Sequence, residues 1–526
     1  MKKLVTVMLA LVLVVSSIAF AGCNQKIGRE EISGGDGSGG SLEIICMKAG
    51  FGTDWLKKIA TEFSKKYNVN VGVTNGSNNG EMNSNVENRQ SEYDIVMTTG
   101  AQFRLADAKA VHDLREIYNY KPDGGDKTVA QKMNQKIYDM LLQEDGSIYF
   151  MNWANSLQGL FYNMTTLREV YGEDFSESQL PKTTGELIDM AKDISSKDGY
   201  VAFSASTGVT YWDYCVDAWG AQYTGSEEYY NYYQASYTDA EGNLQFAETY
   251  GELQPSVSPG RLSAMKIMEE ILKPSNGLVH ENANSMDYIQ MQKAFAGNGY
   301  RGNMTKCAFI ADGDWMANEL ALDLAKNPQD IGIMKLPVNS YIIETLNDKS
   351  MTDEELAQIV GFVDDGLTYE EVKTKEGFSD LTSDDYERIA DARTYSTVAT
   401  LNHSLCVPIT TKNKDNAFNF LKYMLTEEAQ KIYSDTLGGR AMVYGYEPDM
   451  TNASYFEKSI ANIGNYTPIV TDYSSPYVYN GGLRYCGIGD RYVQLMNGKS
   501  AQDIEDQINT HWSENWKSII AAKPVG

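Results

Sequence analysis

Leu42-Glu43-Ile44-Ile45-Cys46-Met47 is an apolar run broken at Gly50-Phe51-Gly52, and from Asp54 the apolar residues fall at Trp55, Ile59, Ala60, Phe63 and Tyr67. The run is short and apolar enough for a buried parallel strand. The spacing after Asp54 is that of a helix with one apolar face. Val69, Val71 and Val73 then alternate with polar positions as a second strand, and Asp94-Ile95-Val96-Met97 ends a third. Strand, helix and strand again predict an open α/β sheet with right-handed crossovers. Ligands of such sheets sit beyond the carboxyl ends of the strands, which is where Phe51, Asp54, Thr98 and Thr99 fall.

Upstream, Lys2 and Lys3 precede an apolar and small run from Leu4 to Phe20. That is the n-region and h-region of a secretory signal, here residues 1–22, with an uncleaved anchor as the alternative. Ala21-Gly22-Cys23 resembles the lipobox of bacterial lipoproteins, with Phe20 where leucine is usual. The resemblance implies cleavage before Cys23, acylation of its thiol (palmitate among the chains) and a place on the outer face of the cell membrane. Residues 23–41, with Ser33-Gly34-Gly35-Asp36-Gly37-Ser38-Gly39-Gly40, read as a flexible tether. The folded body then begins near Leu42.

Downstream, Phe161-Tyr162-Asn163 closes a strand-like run, and Thr183 and Glu186 stand at capping-box spacing before a helix. Cys307 to Ala311 reads as a strand ending at Asp312-Gly313-Asp314-Trp315, and Ile331 to Met334 as another. Asp415 to Thr436 reads as one amphipathic helix. Between them, 341–395 is an acidic block in which Thr352, Thr368 and Thr382 each precede acidic residues. That pattern predicts capped short helices in a solvated insertion. Calcium is the sharper alternative for so many carboxylates, but the Asp-x-Asp-x-Asp-Gly loop is absent.

The chain has 526 residues, enough for two to four domains, and 71 acidic against 45 basic residues give a formal charge of −26. Such a balance repels phosphate backbones, so no nucleic-acid partner is expected. Four scattered histidines (His112, His280, His403, His511) and the absence of any Cys-x-x-Cys pair argue against zinc. Besides Cys23, Cys46, Cys215, Cys307, Cys406 and Cys486 are odd in number and mostly in apolar contexts, which suits buried thiols. No cofactor, metal site or catalytic set is expected.

Several fragments, in this order, resemble bacterial extracellular solute-binding proteins of family 1, the maltose-binding-like kind that serves ABC importers. They are Phe161-Tyr162-Asn163, Pro181 to Glu186 (with Gly185 in place of the family's Trp), Cys307 to Trp315, Ile331 to Pro337, Val407-Pro408-Ile409 with the helix after it, and Leu495 to Lys499. The resemblance implies a type II periplasmic-binding-protein-like α/β fold, with two lobes hinged over an interlobe cleft. Carried across, lobe one is 42–154 with 338–445, bearing the acidic insertion 341–395, and lobe two is 155–337 with 446–526. A monomer that hands its solute to permease subunits is implied as well.

Thirty-five Tyr, 16 Phe and 7 Trp bear on the solute. Sugars present apolar C–H faces and rims of hydroxyls, which aromatic faces and Asp, Asn, Glu or Arg answer together. The resemblance places a stacking ring at Trp315, beside Asp312 and Asp314, another at Tyr485, and a third platform at Tyr211 or Trp212. Trp153 and Asn155 fall at the first hinge crossing, and Phe51 and Asp54 at the strand end described above. Trp55, Trp512 and Trp516 read as packing residues. A polyamine or other cation is the rival solute for an acidic cleft, and tyrosine-rich clefts also suit ferric iron. From another class, a lipid-anchored glycoside hydrolase would need two carboxylates flanking one bond. Asp312 and Asp314 are its only visible pair, and no nucleophile elbow, zinc-protease or phosphate-loop motif accompanies them. The same fold could also serve adhesion or signalling without transport.

Overall fold

A computed structural model describes residues 28–99, 102–143, 145–469, 477, 483 and 490–522. Among them are fourteen strands. In chain order β1 is Arg29–Ile32, β2 Ser41–Met47, β3 Asn70–Gly76, β4 Ile95–Thr99, β5 Met151–Asn152, β6 Leu157–Asn163 and β7 Tyr200–Ser204. Then come β8 Ser236–Thr238, β9 Leu244–Phe246, β10 Lys306–Gly313, β11 Ile331–Ile333, β12 Tyr395–Val398, β13 His403–Cys406 and β14 Thr467–Ile469. They form two six-stranded sheets, β1-β3-β2-β4-β13-β5 and β14-β12-β6-β10-β7 with β11 also paired to β6, plus the β8-β9 hairpin. This mixed α/β, two-sheet architecture is that of the type II binding-protein fold.

The first sheet forms where the sequence pattern predicts it. β2 pairs in parallel with β3 and β4, and Leu42, Ile44 and Cys46 on its inner face are fully buried. The helix Asp54–Tyr67 covers that sheet with Trp55, Leu56, Ile59, Ala60 and Phe63, and it ends at Asn68 in the left-handed region. In the second sheet β6 is central and antiparallel to β10, β11 and β12. Each sheet with the elements on it forms one unit, and two large apolar cores fill the pair, the first of which also takes in Phe161, Ile310, Ile331 and Ile333 of the second sheet. Cys46, Cys215, Cys307 and Cys406 are buried thiols, and burial pushes Cys307 and Cys406 up to about 12.

Three expectations are corrected. Residues 28–41 are not a free tether. β1 pairs antiparallel with β3, and Arg29 grips Glu43 with two hydrogen bonds of 2.8 and 3.0 Å. The glycines after it approach the end of the helix Asp54–Tyr67: Gly34 N–H donates to Ser64 Oγ at 2.7 Å, Gly39 N–H to the Asn68 carbonyl at 3.0 Å, and a Cβ on Gly39 would strike the Tyr67 carbonyl. Glycine here permits close contact as much as freedom. The signal segment and Cys23 lie outside the described residues.

The acidic insertion packs on the second sheet, not the first. β12 pairs with β6 and β14, Thr183 Oγ1 donates to Asp353 at 2.8 Å, and Gln222 Nε2 donates to the Ala392 carbonyl at 3.1 Å. The segment 338–398 therefore lies with the second sheet, and the chain returns to the first sheet only at β13. Within it the helices Asp353–Asp364, Tyr369–Val372 and Ser383–Arg393 begin after Thr352, Thr368 and Thr382, over a small core that includes Leu356, Val360 and Ile389. Finally, the single helix expected over Asp415–Thr436 is two, Lys414–Met424 and Glu427–Thr436. Thr426 caps the second by accepting from Ala429 N–H, a local bond that competes with continuing the first.

Candidate functional site

The chain passes between the sheets at 153–156, at 399–402 and again between β13 and β14, and the strand end that meets the first two crossings is that of β10. Gly313 lets the Trp315 ring lie against this strand end, since a Cβ there would stand 2.3 Å from two of its ring carbons. Asp314 is held on three sides. Its N–H donates to the Leu157 carbonyl at 2.9 Å, and its Oδ1 accepts from Ser156 Oγ at 2.7 Å. Its carbonyl accepts from Arg440 Nη2, while Arg440 Nη1 stands 3.6 Å from Oδ1, an ion pair too long for a hydrogen bond.

Trp315 follows, half-buried, with Tyr214 edge-on at 6.2 Å and Tyr211 at 6.5 Å. Across from it stands the first unit. Gly50, at φ +76°, lies so close that a Cβ would sit 2.6 Å from Trp315 Cβ. Phe51, Trp153 and His403 form a mutual edge-to-face set with centroids 5.1–5.7 Å apart, and the Arg440 guanidinium lies 4.9 Å over Phe51. Trp153 also stacks on Trp55 at 5.4 Å. His403 reaches 6.3 Å from Trp315, and burial holds its imidazole below the usual value.

Two polar groups flank these rings. Asn155 Oδ1 accepts from Tyr466 OH at 2.6 Å and from Thr400 Oγ1 at 3.3 Å, tying the first two crossings together. Burial pushes the Tyr466 phenol up to about 12. On the other flank Gln292 Nε2 donates to Asp312 at 3.0 Å and to Glu319 at 2.8 Å. Burial pushes Asp312 up to about 8, only partly offset by the Gly313 N–H and Gln292, and burial raises Glu319 as well. Gln292 Oε1 and Asp314 Oδ2 are buried acceptors without a partner among the described residues. The same residues contain no cluster of three or more His, Cys, Asp or Glu able to hold a metal.

Of the residues singled out from sequence, the structure brings Trp315, Asp314, Asp312, Tyr211, Trp153, Asn155 and Phe51 into this one region. Trp153 lies at its base with no exposed surface. Trp212 is elsewhere, buried in the second core against Phe203 at 5.6 Å, and Asp54 is exposed in the first turn of its helix. Tyr485 lies outside the described residues. Sequence reading missed Arg440, His403, Tyr214, Tyr466, Ser156, Gln292 and Glu319. One local cue existed for Arg440, the Gly438-Gly439 pair at φ +67° and +87° that turns the chain just before it.

The fold is shared with solved structures. RafE in complex with raffinose matches with a TM-score of 0.56 at 17 % identity, over 90 % of this chain and 99 % of that one. The bacterial solute receptor AcbH, described as preferring β-D-galactopyranose, matches with a TM-score of 0.59 at 14 % identity, over 91 % and 99 %. An ABC substrate-binding protein from Listeria monocytogenes in complex with cycloalternan matches with a TM-score of 0.55 at 14 % identity, over 91 % and 98 %. No curated protein sequence matches the chain. No helix among the described residues is long and apolar enough to cross a membrane. The model of one family, bacterial extracellular solute-binding protein, matches residues 58–457, and the chain belongs to that family.

Proposed function

We propose that this protein captures a carbohydrate, with an oligosaccharide as the main candidate, in the gap between its two units and releases it unaltered to an ABC importer. In this reading lobe one is 28–154 with 399–445, lobe two is 155–398 with 446–526, and the monomer is held at the outer face of the cell membrane by acyl chains on Cys23. The observation that carries it is the meeting of Trp315, Tyr211 and Tyr214 with Asp312, Asp314, Asn155 and Arg440 at one strand end between the sheets. Rings cover the C–H faces of a sugar, while carboxylates, an amide and a guanidinium serve hydroxyls as acceptors and donors. The likeness to raffinose-, galactopyranose- and cycloalternan-binding proteins agrees in substrate class.

The test is a thermal-shift screen over oligosaccharides, followed by calorimetry and by chromatography of the recovered sugar. A raised melting temperature with the sugar recovered intact supports the reading. No response to any glycan, or cleavage of the sugar, removes it. One observation favours a second reading, a polyamine or another cation. Asp312 and Glu319 lie close enough to share the Gln292 amide as donor, and burial raises both carboxyls, an arrangement that a cation placed between them would relieve. Spermidine and putrescine in the same screen decide between the two.

A further inference from the structure

Arg440 belongs to the first unit. It follows the helix Glu427–Thr436, and its neighbours Leu437, Met442, Val443 and Tyr444 are buried in the first core. Arg440 is 6 % exposed, and its guanidinium crosses to the second unit, where it donates to the Asp314 carbonyl and faces the Asp314 carboxylate at 3.6 Å. Asp314 is fixed in turn to Leu157 and Ser156 beside the first crossing, and it immediately precedes Trp315. The Phe51 ring lies beneath the guanidinium, and Gly50 lies against Trp315. The contact is thus a buried charge pair between the units, next to both the hinge and the principal ring.

We propose that Arg440 is the positioning residue of the gap: it pins the Trp315 strand end to the first unit and so holds the two units together before any solute arrives. The proposal concerns closure in the site just described, and its first test needs no solute. A pair of this kind is weak as a source of stability, because both charges lose water, but removing one partner leaves the other buried and uncompensated. It therefore biases a two-state hinge strongly while adding little to the fold of either unit. Arg440 Nη1 and Asp314 Oδ2 are both buried without a hydrogen-bond partner among the described residues. A solute hydroxyl that accepts from the first and donates to the second would complete the contact, so binding strengthens the closed form rather than displacing the pin.

The experiment is small-angle scattering of the ligand-free protein, wild type beside Arg440→Met, Arg440→Lys and Asp314→Asn, with circular dichroism as the check on folding. The expected result is a compact wild type, a larger radius of gyration for Arg440→Met and Asp314→Asn, and partial recovery in Arg440→Lys, which keeps the charge but not the planar fork. Scattering curves of folded Arg440→Met or Asp314→Asn that superpose on wild type overturn the proposal. So does a lysine variant as open as the methionine one. Where the methionine variant does not fold, the lysine and asparagine variants decide by the same criteria. In a second arm, calorimetry with raffinose is expected to show affinity reduced roughly 10–100-fold in Arg440→Met, and unchanged affinity in an opened variant overturns the coupling. A wild type that binds no glycan but opens on loss of Arg440 counts against the carbohydrate reading and leaves the pin standing.

Discussion

The two walls of the gap are built differently. On the first unit, Phe51, Trp153 and His403 are all at or below 5 % exposure, pack on one another and continue through Trp55 into the core. On the second, Trp315 and Tyr211 keep part of their surface, and Trp315 stands on a glycine turn whose carboxylates are tied by hydrogen bonds. A ring that is core holds the wall's shape, while a ring with an uncovered face is available to a solute. Aromatic abundance therefore does not by itself measure a binding surface.

The largest effect expected from this contrast is in the first wall. Trp153→Ala should cost about 3–5 kcal/mol of stability, measured by chemical denaturation, because it empties a fully buried site. A loss confined to solute affinity would place Trp153 in the second class. Next comes Asp312, whose raised value means the folded protein binds a proton that the unfolded chain releases near the ordinary value of 3.8. Its contribution is complete at low pH and is lost as pH rises from about 4 towards about 8, by no more than about 1.4 kcal/mol per pH unit. Denaturation across that window should show the decline, and Asp312→Asn should flatten it. A wild type whose stability rises steadily to pH 8 with no difference from the variant contradicts the assignment.

In the second wall, Trp315→Ala should leave the fold intact and weaken carbohydrate binding by about 1–3 kcal/mol in calorimetry. Equal affinity would remove Trp315 from the surface that meets the solute. The smallest effect belongs to Asp54. Exposed at a helix start, it should lose about 0.3–1 kcal/mol of stability on change to Asn and no affinity, and a tenfold weaker binding would return it to the site.

What the sequence made legible follows from locality. β2, β3, β4 and the helix between them are written in spacings a few residues long, and the Asp312–Trp315 turn sits at the end of an apolar run. Arg440 and His403 meet Asp314 and Trp315 only through tertiary folding, across 126 residues in the case of the Arg440 contact, and no nearby pattern announces that. The resemblance puts the acidic insertion on the other unit for the same reason: its helices are encoded locally, but their seat depends on contacts such as Thr183 with Asp353, 170 positions apart. Residues 28–41 misled through composition, since the same glycines give slack in solution and intimacy against a helix. Trp212 and Tyr211 are neighbours whose fates differ by the direction of one side chain.

That docked amino-terminal stretch sets how the molecule would stand on a cell. With acyl chains on Cys23 as proposed, five residue steps separate the lipid from Gly28, a leash of at most about 18 Å. The edge of the first sheet at β1 would then ride close to the bilayer, and the second unit, acidic insertion included, would be the half left free to swing.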